Sequence, residues 1–327
     1  MGQPTRPLPT DGAPAALAQS AAVPADAVPA RAAAAHPMRT TWRAHAPLWL
    51  MCAPAFALFA ALVLVPLAMT FMLTFYRFDP ATGPIAAFQF GNYAEVLGSS
   101  YFHTIFLRTF GIAVLTTAIC VAVGTPEAYV LSKMRDPWRS LFLLAILAPL
   151  LVSIVVRAFG WSMLLNTSGL VNRTLGLVGL GPYKLEYTTF AIVIALVHVM
   201  LPFMVIPVWT ALQRLDPQTE HAALSLGASP FTTLRRIVLP QLMPGVLSGS
   251  LMVFGLSASA FASPGLLGGR RLNVAATAVY DEVLGSLHWP LGATIAVLLL
   301  VANLVVMLTY YRVLERRYAR SLGGASR

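Results

Sequence analysis

The chain has 327 residues, 57% of them hydrophobic and only 10% charged, with a formal net charge of +10. Soluble domains carry about 25% charged residues, so this balance excludes an ordinary soluble domain and puts the chain among membrane proteins. The positive charge does not indicate nucleic-acid binding, because the basic residues flank apolar runs instead of forming a patch interleaved with aromatics.

Residues 1–46 are rich in Ala and Pro, and Pro4, Pro7, Pro9, Pro14, Pro24, Pro29 and Pro37 interrupt any helix. The segment reads as a disordered tail without the apolar core of a signal peptide. Six runs long enough to cross ~30 Å of hydrocarbon follow. They lie near 48–76, 102–131, 141–165, 188–212, 242–262 and 291–311, within a membrane domain over 47–318 and before a short tail at 319–327. Pro54, Pro66, Pro126, Pro149, Pro202 and Pro207 fall inside these runs, where spanning helices tolerate them. The expected class is therefore an all-α integral membrane protein with six spans. Cys52 and Cys120 both lie in apolar runs and read as packing residues, not as a disulfide or zinc site.

Alternate tails and loops differ in basic content. One set holds Arg6, Arg31, Arg39, Arg43, Lys133, Arg135, Arg139, Arg214, Arg235, Arg236, Arg312, Arg316, Arg317, Arg320 and Arg327, fifteen in all. The other holds five: Arg77, Arg173, Lys184, Arg270 and Arg271. The positive-inside rule places the first set, and both termini, in the cytoplasm.

On that same side, the loop over 213–241 carries a compact polar segment, Glu220–Pro240. Asp216-Pro217 reads as an N-cap followed by Pro in the first turn, and Ala222, Ala223, Leu224 and Leu226 favour helix. Gly227 can end that helix in a left-handed conformation. Ser229-Pro230 repeats the start signal, and Phe231, Leu234, Ile237 and Val238 give a second helix an apolar face, closed by Pro240 and Pro244. The small surface at Ala222, Ala223 and Gly227 suits a partner that takes a helix into a groove. A helix lying on anionic lipid through Arg235 and Arg236 is the alternative.

The segment resembles the EAA loop of inner-membrane permeases of bacterial ABC importers, whose pattern is Glu-Ala-Ala-x-x-x-Gly, then nine residues and Ile-x-Leu-Pro. His221, Ala222, Ala223, Gly227, Ile237, Leu239 and Pro240 align with it, flanked by Glu220, Ala228 and Pro230. His221 replaces the motif's Glu, and Glu220 stands one residue earlier, about 100° around a helix. The likeness covers roughly residues 90–317. It includes GNYAEVL, VRAFGWSMLLNTSGLVN, LPFMVIPVWTALQRLDP, SPGLLGG and WPLGATIAVLLL, which resemble the first permease of spermidine/putrescine importers. One departure is Ser259-Ala260-Phe261, where polyamine permeases often read Gly-Glu-Phe.

The resemblance implies a type I ABC importer permease fold in the inner membrane. It also implies a second homologous permease, two ABC ATPase subunits and a periplasmic solute-binding protein as partners, besides membrane lipid. The chain lacks a Gly-x-x-x-x-Gly-Lys-[Ser/Thr] loop, so it is expected to be non-catalytic and without a cofactor of its own, ATP and Mg being bound by the partner ATPase. The solute is expected to be a polyamine. Other small solutes (an amino-acid derivative, thiamine, phosphonate, iron) or an ATP-independent transporter stand as alternatives.

Several polar residues within the runs are candidates for the translocation path. Arg157 and Trp161 stand toward the far end of the third run, with Arg157 equally readable as a snorkelling anchor. His198 stands near mid-depth in the fourth, as a functional group or an imidazole bonded to a neighbouring helix. Phe261, Ser263 and Trp161 could border a cavity between subunits. Glu127 and Asn303 carry the same ambiguity. Gly245 and Gly249 form a Gly-x-x-x-Gly suited to close helix contact.

Overall fold

A computed structural model describes residues 42–323. The chain divides into two compact units, Met1–Phe59 and Ala60–Arg327. Within the first unit, the described residues form the start of helix α1 (Trp42–Leu73). That helix begins inside the segment expected as a tail over 1–46, whose earlier residues lie outside the described ones.

The second unit continues α1 and adds a short antiparallel hairpin, β1 (Arg77–Asp79) and β2 (Gly83–Ile85), in which Phe78 faces Pro84. Helices α2 (Gly91–Gly98), α3 (Ser100–Lys133), α4 (Trp138–Leu151), α5 (Ile154–Leu165), α6 (Leu170–Leu177) and α7 (Thr189–Gln213) follow. Next come α8 (Pro217–Ser225), α9 (Pro230–Thr233), α10 (Leu239–Ala258), α11 (Ala262–Leu267), α12 (Ala275–Tyr280) and α13 (Trp289–Gly323). Two π-turns, Leu234–Val238 and Asp281–Gly285, join α9 to α10 and extend α12. The last tail, expected from 319, is helical as far as Gly323, and 324–327 lie outside the described residues.

Helix α7 is the centre of the second unit, packed between α3 and α10. It is apolar around most of its circumference, and Ile192, Leu196, Met204, Val205 and Val208 are fully or almost fully enclosed. A helix without a polar face belongs inside its fold. Glycines allow the close approach. A Cβ on Gly245 would sit 2.7 Å from the Ala211 Cβ and 2.8 Å from the Pro207 carbonyl oxygen. One on Gly249 would sit 2.9 Å from the Met204 sulfur. The Gly-x-x-x-Gly thus seats α10 on α7 within the chain. A smaller cluster of Val96, Phe102, Ile105, Ala275, Ala278, Leu291 and Ile295 joins α2, α3, α12 and α13.

Among the described residues, six helical stretches are long and apolar enough to cross a membrane. The third differs from expectation. The run 141–165 is not one helix but two, α4 and α5, parted at Val152 and Ser153, which are extended with ψ of 138° and 135°. Pro149 removes a donor inside α4, and the guanidinium of Arg157 donates to the carbonyls of Pro149 and Val152. The stretch long enough to span is instead Ile154–Leu177. Large apolar side chains face outward along α1, among them Leu62, Leu64 and Met69. Lipid tails are as apolar as these side chains, so they need no protein partner in a bilayer.

Candidate functional site

The segment Glu220–Pro240 forms a helix, a turn and a second helix, with each sequence signal visible in its geometry. The Asp216 carboxylate caps α8 by accepting from the Gln218 N–H at 2.9 Å, with Pro217 in the first turn. Gly227 adopts φ of +83°. The Gly227 N–H donates to the Leu224 carbonyl at 3.0 Å, and the Ala228 N–H to the Ala223 carbonyl at 3.1 Å. These two bonds form a Schellman motif, which requires a left-handed residue at Gly227. Ser229 then accepts from the Thr232 N–H at 3.2 Å and caps α9.

The second helix does not close at Pro240. Helices α9 and α10 are continuous through the intervening π-turn, giving one apolar stretch over Pro230–Ala258. Within that turn the Leu239 N–H reaches back to the Leu234 carbonyl. The widened turn accommodates Pro240, which offers no N–H and crowds the carbonyl four residues back. The turn at Gly227 is thereby attached to a membrane helix with no hinge loop between them.

The loop has two faces. Ala223, at 9% exposure, points inward along with Thr233 and Val238, whereas His221, Ala222 and Gly227 point outward. Ala228 and Ile237 are half-buried, and Pro230, Leu239 and Pro240 are exposed. The surface that can receive a backbone is therefore Ala222 with Gly227, and Ala223 belongs to the fold. Phe231, part of the apolar face expected of the second helix, is 70% exposed, and Leu226 is 89% exposed. A single helical turn beginning at Pro230 sends Phe231 outward, while Thr233 and Val238 fill the inward positions. Two large apolar side chains thus flank the Gly227 turn on its open face.

Glu220 has a role that the motif alignment did not supply. Lys133 Nζ donates to its Oε2 at 2.6 Å, and the Tyr129 hydroxyl donates to Oε1 at 3.1 Å. Lys133 also lies 5.4 Å from the centre of the Tyr129 ring. The carboxylate joins α8 to the end of α3, and the 100° offset from His221 is the reason it faces inward while His221 faces out. This pairing spans 87 positions, so local pattern gives no signal for it.

The Lys133 hydrogen bond holds the Glu220 carboxyl below the usual carboxylate range, against partial desolvation that raises it. A depressed carboxyl stabilises above its unfolded pKa, about 4.3, and that contribution disappears as pH falls through the lower folded value. The tie is thus intact at neutral pH and opens only in acid. With Lys133 half exposed, its worth is at most about 1 kcal/mol. Glu220→Gln is expected to raise hydrogen exchange in α8 by at most ~5-fold at pH 7, from that same figure. It should also remove the loosening expected of wild type below about pH 4. A variant that still loosens below about pH 4 as wild type does would contradict the tie.

The translocation-path candidates do not all converge. Trp161 Nε1 donates to His198 Nδ1 at 3.3 Å, their rings edge-on at 5.8 Å. This bond ties α5 to α7. The imidazole is nonetheless exposed at a point where its α7 neighbours are buried. Arg157 caps the broken end of α4. Ser263 is 5% exposed and lies inside the chain, while the Phe261 ring lies tilted against Tyr280, centres 4.8 Å apart, and borders an open pocket. Asn303 faces the small surface of α10 near Gly255, and Glu127 is half-buried on α3. Cys120 is buried, but Cys52 is exposed and not a core residue.

Residues 47–320 match the family described as binding-protein-dependent transport system inner membrane component. The chain is 31% identical over 252 residues to the spermidine/putrescine transport system permease protein PotB of Salmonella typhimurium strain SL1344, covering 76% of this chain and 88% of that one. It is 30% identical over 252 residues to PotB of Escherichia coli K12, covering 76% and 91%. In three dimensions it resembles a chain of a bacterial ABC transporter that imports the acidic polysaccharide alginate, with a TM-score of 0.71 at 18% identity, covering 84% of this chain and 96% of that one.

Proposed function

This chain belongs to the family of binding-protein-dependent transport system inner membrane components, and we propose that it forms half of the path of an ATP-driven importer for a polyamine such as spermidine or putrescine. It is a multi-pass inner-membrane permease subunit without catalysis of its own. The observation that carries the mechanism is the Gly227 turn, capped on both sides and joined through Ala228 and Ser229 to the continuous helix Pro230–Ala258. The polyamine assignment draws its support from the identity to PotB over most of both chains.

In this reading the loop lies in the cytoplasm with both termini, as the basic residues favour. A second homologous permease completes the path, a periplasmic binding protein delivers solute, and a dimer of ABC ATPases binds ATP and Mg. His221, Ala222 and Gly227 face the ATPase groove, and Leu226 and Phe231 fill it. Closure of the ATPase dimer displaces the turn. Because α9 and α10 are one helix, the displacement passes to the Gly245–Gly249 face against α7. Transport requires that the ATP-closed dimer bind one permease conformation better than the other.

The test is uptake of labelled spermidine by proteoliposomes holding the full importer, with ATP and the binding protein supplied. Uptake that persists without ATP and collapses with an ion gradient would sink the ABC reading. Replacing both Leu226 and Phe231 with Asp is expected to reduce ATPase co-purification at least tenfold, since a charge in a desolvated groove is costly. Equal recovery of the ATPase from wild type and variant would move the docking surface elsewhere.

A further inference from the structure

A cationic solute needs carboxylates or aromatic faces along its path, and the sequence around Phe261 offers no acid. The fold supplies one from a later element. Phe261 at the start of α11 and Tyr280 at the end of α12 come together with ring centres 4.8 Å apart, tilted by 34°. Both remain partly exposed, at 42% and 48%. They border a pocket of about 530 Å³ that also takes in Asp281, its partner Arg270 and the aliphatic side chains of Val155, Leu266 and Leu284. That volume is within the range of small-molecule sites.

We propose that this pocket is a subsite for a primary ammonium group of an aliphatic amine in transit. Asp281 is its counter-ion, the Phe261 and Tyr280 rings are its cation-facing wall, and the aliphatic side chains receive the adjoining methylenes. The proposal rests on the polyamine reading above. Three further observations support it. Asp281 begins a π-turn, a local departure from α-helix that occurs frequently at functional sites. Its neighbour Glu282 is already engaged, accepting from Ser286 Oγ at 2.7 Å. The cation paired with Asp281 is Arg270, at 3.9 Å on a side chain 88% exposed. So long and exposed a pair contributes little and is readily exchanged for an incoming ammonium. Arg270 itself is held at φ of +58°, an uncommon conformation for a residue other than glycine. The pocket lies beyond the end of α10 opposite the Glu220–Pro240 loop, which in the proposed orientation is the side where the binding protein releases solute.

The experiment uses the complete importer in proteoliposomes, with labelled spermidine delivered by saturating binding protein. Asp281→Asn is expected to lower uptake about tenfold, the order of one charge-assisted contact, and Tyr280→Leu about threefold, the order of one cation–π contact. Asp281→Glu should restore most of the rate. The complex must be recovered in normal yield. If Asp281→Asn fails to assemble, Arg270→Gln decides: removing the competing cation should raise uptake, and a loss matching that of Tyr280→Leu would overturn the subsite. Wild-type uptake with normal rates in Asp281→Asn and Tyr280→Leu would overturn the subsite and leave the polyamine reading intact. No polyamine uptake by wild type would overturn the reading and the subsite together.

Discussion

Gly227→Val is expected to abolish ATP-driven uptake, by at least tenfold, while the chain still inserts and assembles with its partners. The effect is purely one of backbone conformation. A Cβ built at Gly227 meets nothing within 4 Å, so the substitution creates no clash. What changes is the φ of +83°, which costs an ordinary L-residue roughly 1–2 kcal/mol and a β-branched one more. A Schellman turn held by two backbone bonds cannot absorb that without opening. The α8 C-terminus then loses its fixed direction, and Leu226 and Phe231 no longer project together. Gly227→Asn is the informative control, because Asn tolerates the left-handed region. The measurement is spermidine uptake alongside ATP hydrolysis in the assembled complex. Hydrolysis that continues while uptake is lost is the expected signature, and a normal transport rate in the valine variant would remove the coupling role.

Gly245→Leu is expected to cost the fold itself. The first carbon of the new side chain would lie 2.7 Å from the Ala211 Cβ, 2.8 Å from the Pro207 carbonyl oxygen and 3.0 Å from the Val208 Cα. Two of these are backbone atoms of the most enclosed helix in the unit, so no rotamer change relieves the contact. Overpacking costs about 1–3 kcal/mol where neighbours can yield, and here they cannot. Gly245→Leu should give little detergent-stable protein, and Gly245→Ala a lowered melting temperature. Gly249→Ala should be milder, since its nearest neighbour is the flexible Met204 sulfur at 2.9 Å. A Gly245→Leu protein that melts with wild type would show that α10 is not seated on α7 through this face.

Much of the fold was legible in the sequence because a bilayer imposes length and apolarity on each span. The Gly-x-x-x-Gly was legible for the same reason: small residues are what close membrane helices require. Asp216, Gly227 and Ser229 were legible because caps and left-handed turns depend on one residue and its immediate neighbours. Composition did not reveal the break in the third run. An apolar run looks the same whether or not it bends, and at the break Arg157 reaches the carbonyls of Pro149 within α4 and Val152 just past its end. Nor did the prolines reveal that Pro240 continues a helix, because a π-turn is decided by the backbone around it.

The sequence by itself determined the class of protein, the approximate spans, the place of the helical pair and the expected side of the membrane, all consequences of local chemistry and solvent. Tertiary structure alone decided which face of that pair is free. Glu220 turns inward because Lys133 and Tyr129 wait at the end of α3, and Phe231 turns outward because Thr233 and Val238 fill the inner positions. It also decided that Asp281 shares a pocket with Phe261. Such pairings join residues far apart in the chain, and only the packed helices bring them within reach.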